Sequence, residues 1–310
     1  MKISIIGAGM VGSTVARNLS RSMSNIDEIV LLDIKDKLAE GKAIDINQCE
    51  PRNKIIGCTN DYSKTKNSDI VIITSGTPRK PGQSREELVS INYKIVSDVV
   101  NSIYSFSANP LIIVVSNPVD ILVTKLVSEH FDKELNIIGF GNELDSARFR
   151  YYITKKLKEK YPDDKFAFCS ANVFGAHSDI DMVPIVSKAK IFVNERERKI
   201  SDLLTDEEIS QIRFETKTGG ATITKMLGTS AWEAPAYYIE QMVSDICKGK
   251  FSGYVSIYDF SIGCAIGTYA SITKNGVISV ENTKITCSED EKTTFKKAVT
   301  IISNYDTPTA

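Results

Sequence analysis

Six residues near the start of the chain constrain its fold more than any others. Gly7-Ala8-Gly9-Met10-Val11-Gly12 is a G-x-G-x-x-G sequence set between the apolar run Ile3–Ile6 and the amphipathic stretch Val11–Ser22. Glycines at that spacing serve three ends. The first allows a tight strand-to-helix turn, the second lets backbone approach a pyrophosphate, and the third lets helix and strand pack closely. The helix that follows offers unpaired N–H groups and a partial positive charge to the phosphates. A second apolar run, Ile29–Leu32, ends in Asp33. A carboxylate about twenty residues beyond the glycines accepts from both ribose hydroxyls and repels a 2′-phosphate, so NAD is favoured over NADP. The plainer reading of Asp33 is a side chain that caps a turn.

The same rhythm continues to about residue 140. Ile70–Thr74 and Leu111–Val115 are strand-length runs rich in β-branched residues, with a helical segment, Asn92–Tyr104, between them. Near-continuous apolar runs point to strands buried on both faces, and βαβ alternation to a doubly wound parallel sheet. The fold expected is α/β, with a Rossmann dinucleotide domain over residues 1–142 and an α+β catalytic domain over 143–310. In the second part, Leu144–Lys160 reads as one long helix and Lys165–Phe174 and Lys190–Val193 as strands. A helical region, Asp206–Cys247, is expected to break near Gly228 and at Pro235, followed by strands at Tyr254–Tyr258 and Gly267–Thr273. Ser288 and Glu291 form a capping box ahead of a stripe of Phe295, Ala298, Val299 and Ile302.

Charge excludes whole classes of partner. Thirty-eight basic residues against thirty-nine acidic ones leave a net charge of −1, with no basic excess to hold a nucleic acid or an anionic membrane surface. No run reaches the roughly eighteen apolar residues needed to span a bilayer. The N-terminus enters a strand directly, without a secretory signal. Cys49, Cys58, Cys169, Cys247, Cys264 and Cys287 lie far apart with no CxxC pair, which suits neither a zinc site nor a disulfide scaffold. A cytoplasmic protein is expected.

Of the two histidines, His130 follows an amphipathic helix and reads as a surface residue. His177 stands in Gly175-Ala176-His177-Ser178-Asp179, a loop just after an apolar strand, and His is the readiest general base near neutral pH. Asp145 and Arg148, three apart, project from one helix face; alone, they are equally an ordinary surface ion pair. The segment from Gly76 to Leu88 carries Arg79, Lys80 and Arg85 among two prolines and two glycines. It follows a strand, at the sheet edge where open α/β folds bind ligands, or it is simply a solvated charged loop. Ser116-Asn117-Pro118 ends another strand with an amide side chain.

These motifs, in this order, resemble the lactate/malate dehydrogenase family over essentially the full length. The matches are Gly7–Gly12, Asp33, Arg79 through Arg85, Ser116-Asn117-Pro118, Leu144 through Phe149 and Gly175 through Asp179. The resemblance implies reversible NAD-dependent oxidation of a 2-hydroxy acid without a metal, by a homodimer or homotetramer. It makes His177 the acceptor of the substrate hydroxyl proton and Asp145 the group that fixes its tautomer. Arg148 would clasp the first carboxylate, Arg85 would polarise the carbonyl, and Asn117 would touch substrate and nicotinamide ribose. Ser230 matches a hydroxyl-bearing pocket position. Gly7, Ala8, Gly9, Met10, Val11, Gly12, Asp33, Thr74, Ser75, Gly76, Asn92, Val115, Ser116 and Asn117 would bind the cofactor. Where the family meets a methyl group, as in lactate, the position of Arg79 carries Gln. Arginine there implies a dicarboxylate, malate or oxaloacetate, and so a step of the tricarboxylic acid cycle; lactate or another 2-hydroxy acid is the alternative. Asn142, Glu143, Ala176, Ser178 and Glu233 depart from the family pattern.

Overall fold

The computed structural model describes residues 1–49, 52, 54–78, 84–130, 135–281 and 287–305, apart from the side chains of Arg85, Phe168 and Cys169. Strand and helix alternate through the first half as β1 (Lys2–Ile6), α1 (Met10–Ser22), β2 (Glu28–Asp33), α2 (Leu38–Cys49) and β3 (Ile55–Thr59). They continue as β4 (Ile70–Ile73), α3 (Arg85–Tyr104), β5 (Leu111–Val114), α4 (Val119–Ser128) and β6 (Ile137–Gly139). These strands lie parallel in the order β3-β2-β1-β4-β5-β6, the doubly wound arrangement expected. Alternate residues feed opposite faces. Ile3, Ile5, Ile29, Leu31, Ile70 and Ile72 enter one buried cluster, whereas Ile6, Val30, Leu32, Val71 and Ile73 enter another. A strand buried on both faces has no polar side, which is why these runs read as continuously apolar.

The second half begins with α5 (Asn142–Lys160), β7 (Phe166–Ser170), β8 (Val173–Gly175), β9 (Met182–Pro184), β10 (Lys190–Val193) and β11 (Arg196–Lys199). It closes with α6 (Asp206–Leu227), α7 (Glu233–Cys247), β12 (Phe251–Asp259), β13 (Cys264–Thr273), β14 (Gly276–Val280) and α8 (Glu289–Ser303). The large sheet does not stop at β6. It runs on through β12, β13, β8 and β9 with antiparallel pairing, and β14 adds to β13. At this junction Gly139, Ser256, Gly267 and Gly175 stand side by side on four neighbouring strands. A separate antiparallel sheet, β11-β10-β7, contributes to a core shared with α5 and α6.

Three details differ from the sequence reading. Lys165–Phe174 is two strands, for β7 joins the small sheet while β8 joins the large one. Pro235 does not break α7; it lies in the first turn, where a missing N–H costs no helical hydrogen bond. The break is at Gly228 alone, left-handed at φ 70° with its N–H bonded to the Thr224 carbonyl. Finally, α3 starts at Arg85, well before Asn92, behind a capping box of Ser84 and Glu87.

Candidate active site

The glycine turn shows a division of labour. Gly7 has φ 107°, a conformation that favours glycine, and its N–H reaches the Leu32 carbonyl at 2.7 Å. A Cβ on Gly12 would lie 1.9 Å from the Gly7 carbonyl oxygen, so helix and turn touch there. A Cβ on Gly9 would meet nothing within 4 Å; this face of the turn is open. Whereas α3, α6 and α8 each begin with a capping box, α1 has neither a side-chain cap nor an acidic residue in its first turn. Its N–H groups are left to an external anion, and the open face at Gly9 leaves room for one: the residues fit a dinucleotide pyrophosphate.

Asp33 braces this turn, accepting from the Ala8 N–H at 2.7 Å and the Lys35 N–H at 2.9 Å. It therefore caps a turn as well as standing at the second strand's end. Thr74 Oγ1 donates to the Gly7 carbonyl at 3.0 Å, and the Ser116 hydroxyl donates to the Ser75 carbonyl. Asn92 is buried and acts as a tie. Its Nδ2 donates to the Asn117 and Thr77 carbonyls at 2.7 and 3.1 Å, and its Oδ1 accepts from the Thr77 N–H at 2.8 Å.

A cleft of about 490 Å³ opens beside the turn, with Val11, Val115, Asn117, Arg148, His177, Gly220 and Ser230 among its walls. Asp145 sits in the first turn of α5, fully buried, and its carboxylate is shared. Oδ2 lies 2.6 Å from His177 Nδ1 and Oδ1 lies 2.9 Å from Arg148 Nη1. An ionised carboxylate only accepts, so Nδ1 carries the hydrogen and Nε2 is the basic nitrogen of the neutral ring. Burial lowers the proton affinity of His177, but the charge and hydrogen bond of Asp145 outweigh it. Arg148 opposes and Asp120 assists, so the pKa stands above the ordinary histidine value. Behind the ring is Gly141, where a Cβ would fall 2.6 Å from His177 Cγ. Gly220 of α6 brings its backbone against Arg148, since a Cβ there would lie 3.3 Å from both terminal nitrogens. Arg148 Nε is buried without a partner among the described residues.

The residues that depart from the family pattern brace this arrangement. Asn142 Nδ2 donates to the Gly175 carbonyl at 2.9 Å. Glu143 Oε1 accepts from the Tyr254 N–H at 2.7 Å. Ser178 Oγ donates to Asp181 Oδ2 at 3.1 Å and accepts from the Asp181 N–H at 3.0 Å. Ala176 packs into an apolar cluster with Ile266 and Ala298. Glu233 accepts from Trp232 Nε1 at 3.0 Å and pairs with Arg17 of α1 at 3.6 Å. Arg79 lies outside the described residues, as does the side chain of Arg85. One residue that sequence reasoning missed is Asp120, whose Oδ2 accepts from the His177 N–H at 2.7 Å. Its only signal is an acid set among the apolar residues Val119, Ile121 and Leu122.

Comparison with known proteins adds to this geometry. The family profile for the NAD-binding domain of lactate/malate dehydrogenases matches residues 1–139, and that for their α/β C-terminal domain matches residues 142–305. Malate dehydrogenase of Flavobacterium johnsoniae is 40% identical over 314 residues, covering 96% of this chain and 95% of that protein. The crystal structure of Cryptosporidium parvum malate dehydrogenase superposes with a TM-score of 0.85 at 33% identity, covering 98% of this chain and 97% of that one. The lactate dehydrogenase of C. parvum, solved with lactic acid and nicotinamide adenine dinucleotide, gives a TM-score of 0.84 at 27% identity, covering 98% and 96%.

Proposed function

The chain belongs to the lactate/malate dehydrogenase family, and from that premise we propose that it interconverts (S)-malate and oxaloacetate with NAD. The observation that carries the reading is the shared Asp145 carboxylate, which couples a histidine and an arginine on one wall of a cleft beside the glycine turn. In malate oxidation His177 Nε2 takes the C2 hydroxyl proton while Asp145 holds Nδ1–H and stabilises the imidazolium. NAD, when bound, accepts the hydride from C2. Arg148, which lines the cleft and is oriented by Asp145, pairs with the C1 carboxylate through its planar guanidinium. In the reverse direction the imidazolium returns the proton and Arg85 polarises the carbonyl.

Asn117 orients the substrate toward the nicotinamide, and Ser230 lines the substrate end. Asp33 holds the adenosine ribose and the Gly7–Gly12 turn takes the pyrophosphate. Thr74, Ser75, Gly76, Val115 and Ser116 line the cofactor cleft, with Asn92 tying its walls together. We divide the chain at residue 142, where α5 begins. A homodimer or homotetramer fits the exposed apolar side chains Tyr151, Phe214 and Met226. We place the enzyme in the cytoplasm, in the tricarboxylic acid cycle; no described helix is long and apolar enough to cross a membrane.

Arg79 selects the dicarboxylate. A desolvated guanidinium facing a methyl group instead of a carboxylate would lose its partner, at a cost on the order of 1–3 kcal/mol. The lactate reading is the weaker one, since curated relatives at 36–40% identity are malate dehydrogenases. The test is a substrate panel: wild type should turn over oxaloacetate with NADH far better than pyruvate, and Arg79→Gln should reverse the preference. Strong retention of oxaloacetate by the variant would remove Arg79 from specificity, and an inactive wild type would sink the reaction.

A further inference from the structure

We propose that Asp120 is a positioning residue for the proton-transferring histidine, fixing the His177 main chain while Asp145 holds the ring, and favouring the imidazolium by its charge. This rests on the dehydrogenase reading above. Asp120 is 5% exposed, in the first turn of α4, amid the buried apolar residues Val119, Ile121, Leu122 and Val123. A carboxylate in such a setting is costly unless strongly bonded. No lysine or arginine answers it with an ion pair among the described salt bridges. Its Oδ2 instead accepts the main-chain N–H of His177, 57 residues away in sequence, at 2.7 Å, a charge-assisted bond. The N-terminal end of α4 adds a favourable partial charge, although the Asn117 Oδ1 accepts from the Val119 N–H of that end at 3.3 Å.

The other oxygen, Oδ1, is buried toward Ser256. Burial pushes the Asp120 carboxyl above the usual carboxylate range, opposed by the Ser256 hydroxyl and by the charge and main-chain N–H of His177, although neither Oδ1 nor the Ser256 hydroxyl has a partner of standard hydrogen-bond geometry. His177 is thus held from two helices. Its ring is anchored to α5 through Asp145 and its backbone to α4 through Asp120. Because Asn117 stands just before the Pro118 cap of α4 and its Oδ1 accepts from the Val119 N–H, the base and the Asn117 amide share one support.

Among the described residues, the charges around the imidazole are Asp145 and Arg148 from α5 and Asp120 from α4. Asp179 and Asp181 lie on its own loop, with Lys217 of α6 facing Asp181. β12 and β13 present the neutral Ser256 and Gly267. With Asp120 ionised and His177 protonated, two anions balance two cations in the buried set.

The test compares wild type, Asp120→Ala and Asp120→Asn in oxaloacetate reduction, with NADH affinity by fluorescence and thermal melting alongside. Asp120→Ala should lower kcat by roughly 10–100-fold, as loss of an orienting partner does, with NADH affinity unchanged. Asp120→Asn keeps an oxygen acceptor of the same size, so kcat should stay within several-fold of wild type. It lacks the charge, so the alkaline limb of its pH profile should move down by about half a unit or more, a limb being a direct readout of differential charge stabilisation. The proposal is overturned by an undiminished kcat in Asp120→Ala, by NADH affinity falling in step with kcat, or by an unmoved limb in Asp120→Asn. It is equally overturned if both variants fail to fold while wild type is active, which would give Asp120 a purely structural role. An inactive wild type would instead reject the reaction itself, and this inference with it.

Discussion

One carboxylate at Asp145 serves two neighbours, orienting His177 through one oxygen and Arg148 through the other. Replacing His177 by Asn removes the basic nitrogen but not the cofactor turn, so turnover should fall by roughly 10²–10⁴-fold while NADH still binds; stopped-flow assay beside fluorescence titration separates the two. The raised pKa of His177 fixes the sign of the pH dependence. Malate oxidation needs the neutral ring and should decline as pH falls through that pKa. Oxaloacetate reduction needs the imidazolium and should decline as pH rises through it. The same shift links to stability. A folded pKa above the unfolded one contributes stability below the unfolded value and loses it as pH rises through the folded one. Paired pH profiles from pH 5 to 9 in both directions check this, and matching limbs of the same sign would contradict it. At this scale His177, Asp145 and Arg148 were legible as residue types in suggestive places, but their mutual contact was not. Asp120 left hardly any mark, because it binds a main-chain N–H and backbone donors look alike in any sequence.

Among the elements, the β1–α1 turn offers a controlled comparison between two glycines. Gly12→Ala drives a methyl group into the Gly7 carbonyl oxygen and should destabilise the fold, by about 1–3 kcal/mol or more as overpacking does. Gly9 has φ −65° and clear space about its Cβ position, so Gly9→Ala should melt like wild type yet bind NADH at least about tenfold more weakly, a loss of roughly 1.4 kcal/mol. Equal melting temperatures for the two variants would contradict this assignment. The strands β1, β2, β4 and β5 were readable because burial on both faces writes an unbroken apolar run. The helix α2 was not, since it buries Ala39, Ala43 and Ile46 while exposing Ile44, which spoils the stripe. The division of Lys165–Phe174 into β7 and β8 was hidden for another reason. Which sheet a strand joins depends on distant partners, and nothing local records them.

In the whole molecule, one sheet passes from the parallel half into the antiparallel half through β6 and β12, and the cleft lies where the two meet. Residues of both halves line it, Val11 and Asn117 from the first, Arg148 and His177 from the second. Binding there should stabilise both halves together. NADH at a hundred times its dissociation constant is expected to add about 2.7 kcal/mol and to raise a single calorimetric transition. Two transitions of which NADH shifts only one would argue against this coupling. Asp145 and Arg148 stand one turn apart on α5, so in the proposed reaction the proton relay and the grip on the nearer carboxylate tolerate no independent adjustment. In the proposed reaction the far end of the substrate falls to Arg79, which follows β4 in sequence. On that reading, altered diets of substrate can arise by exchanging Arg79 alone, with the shared turn of α5 inherited intact.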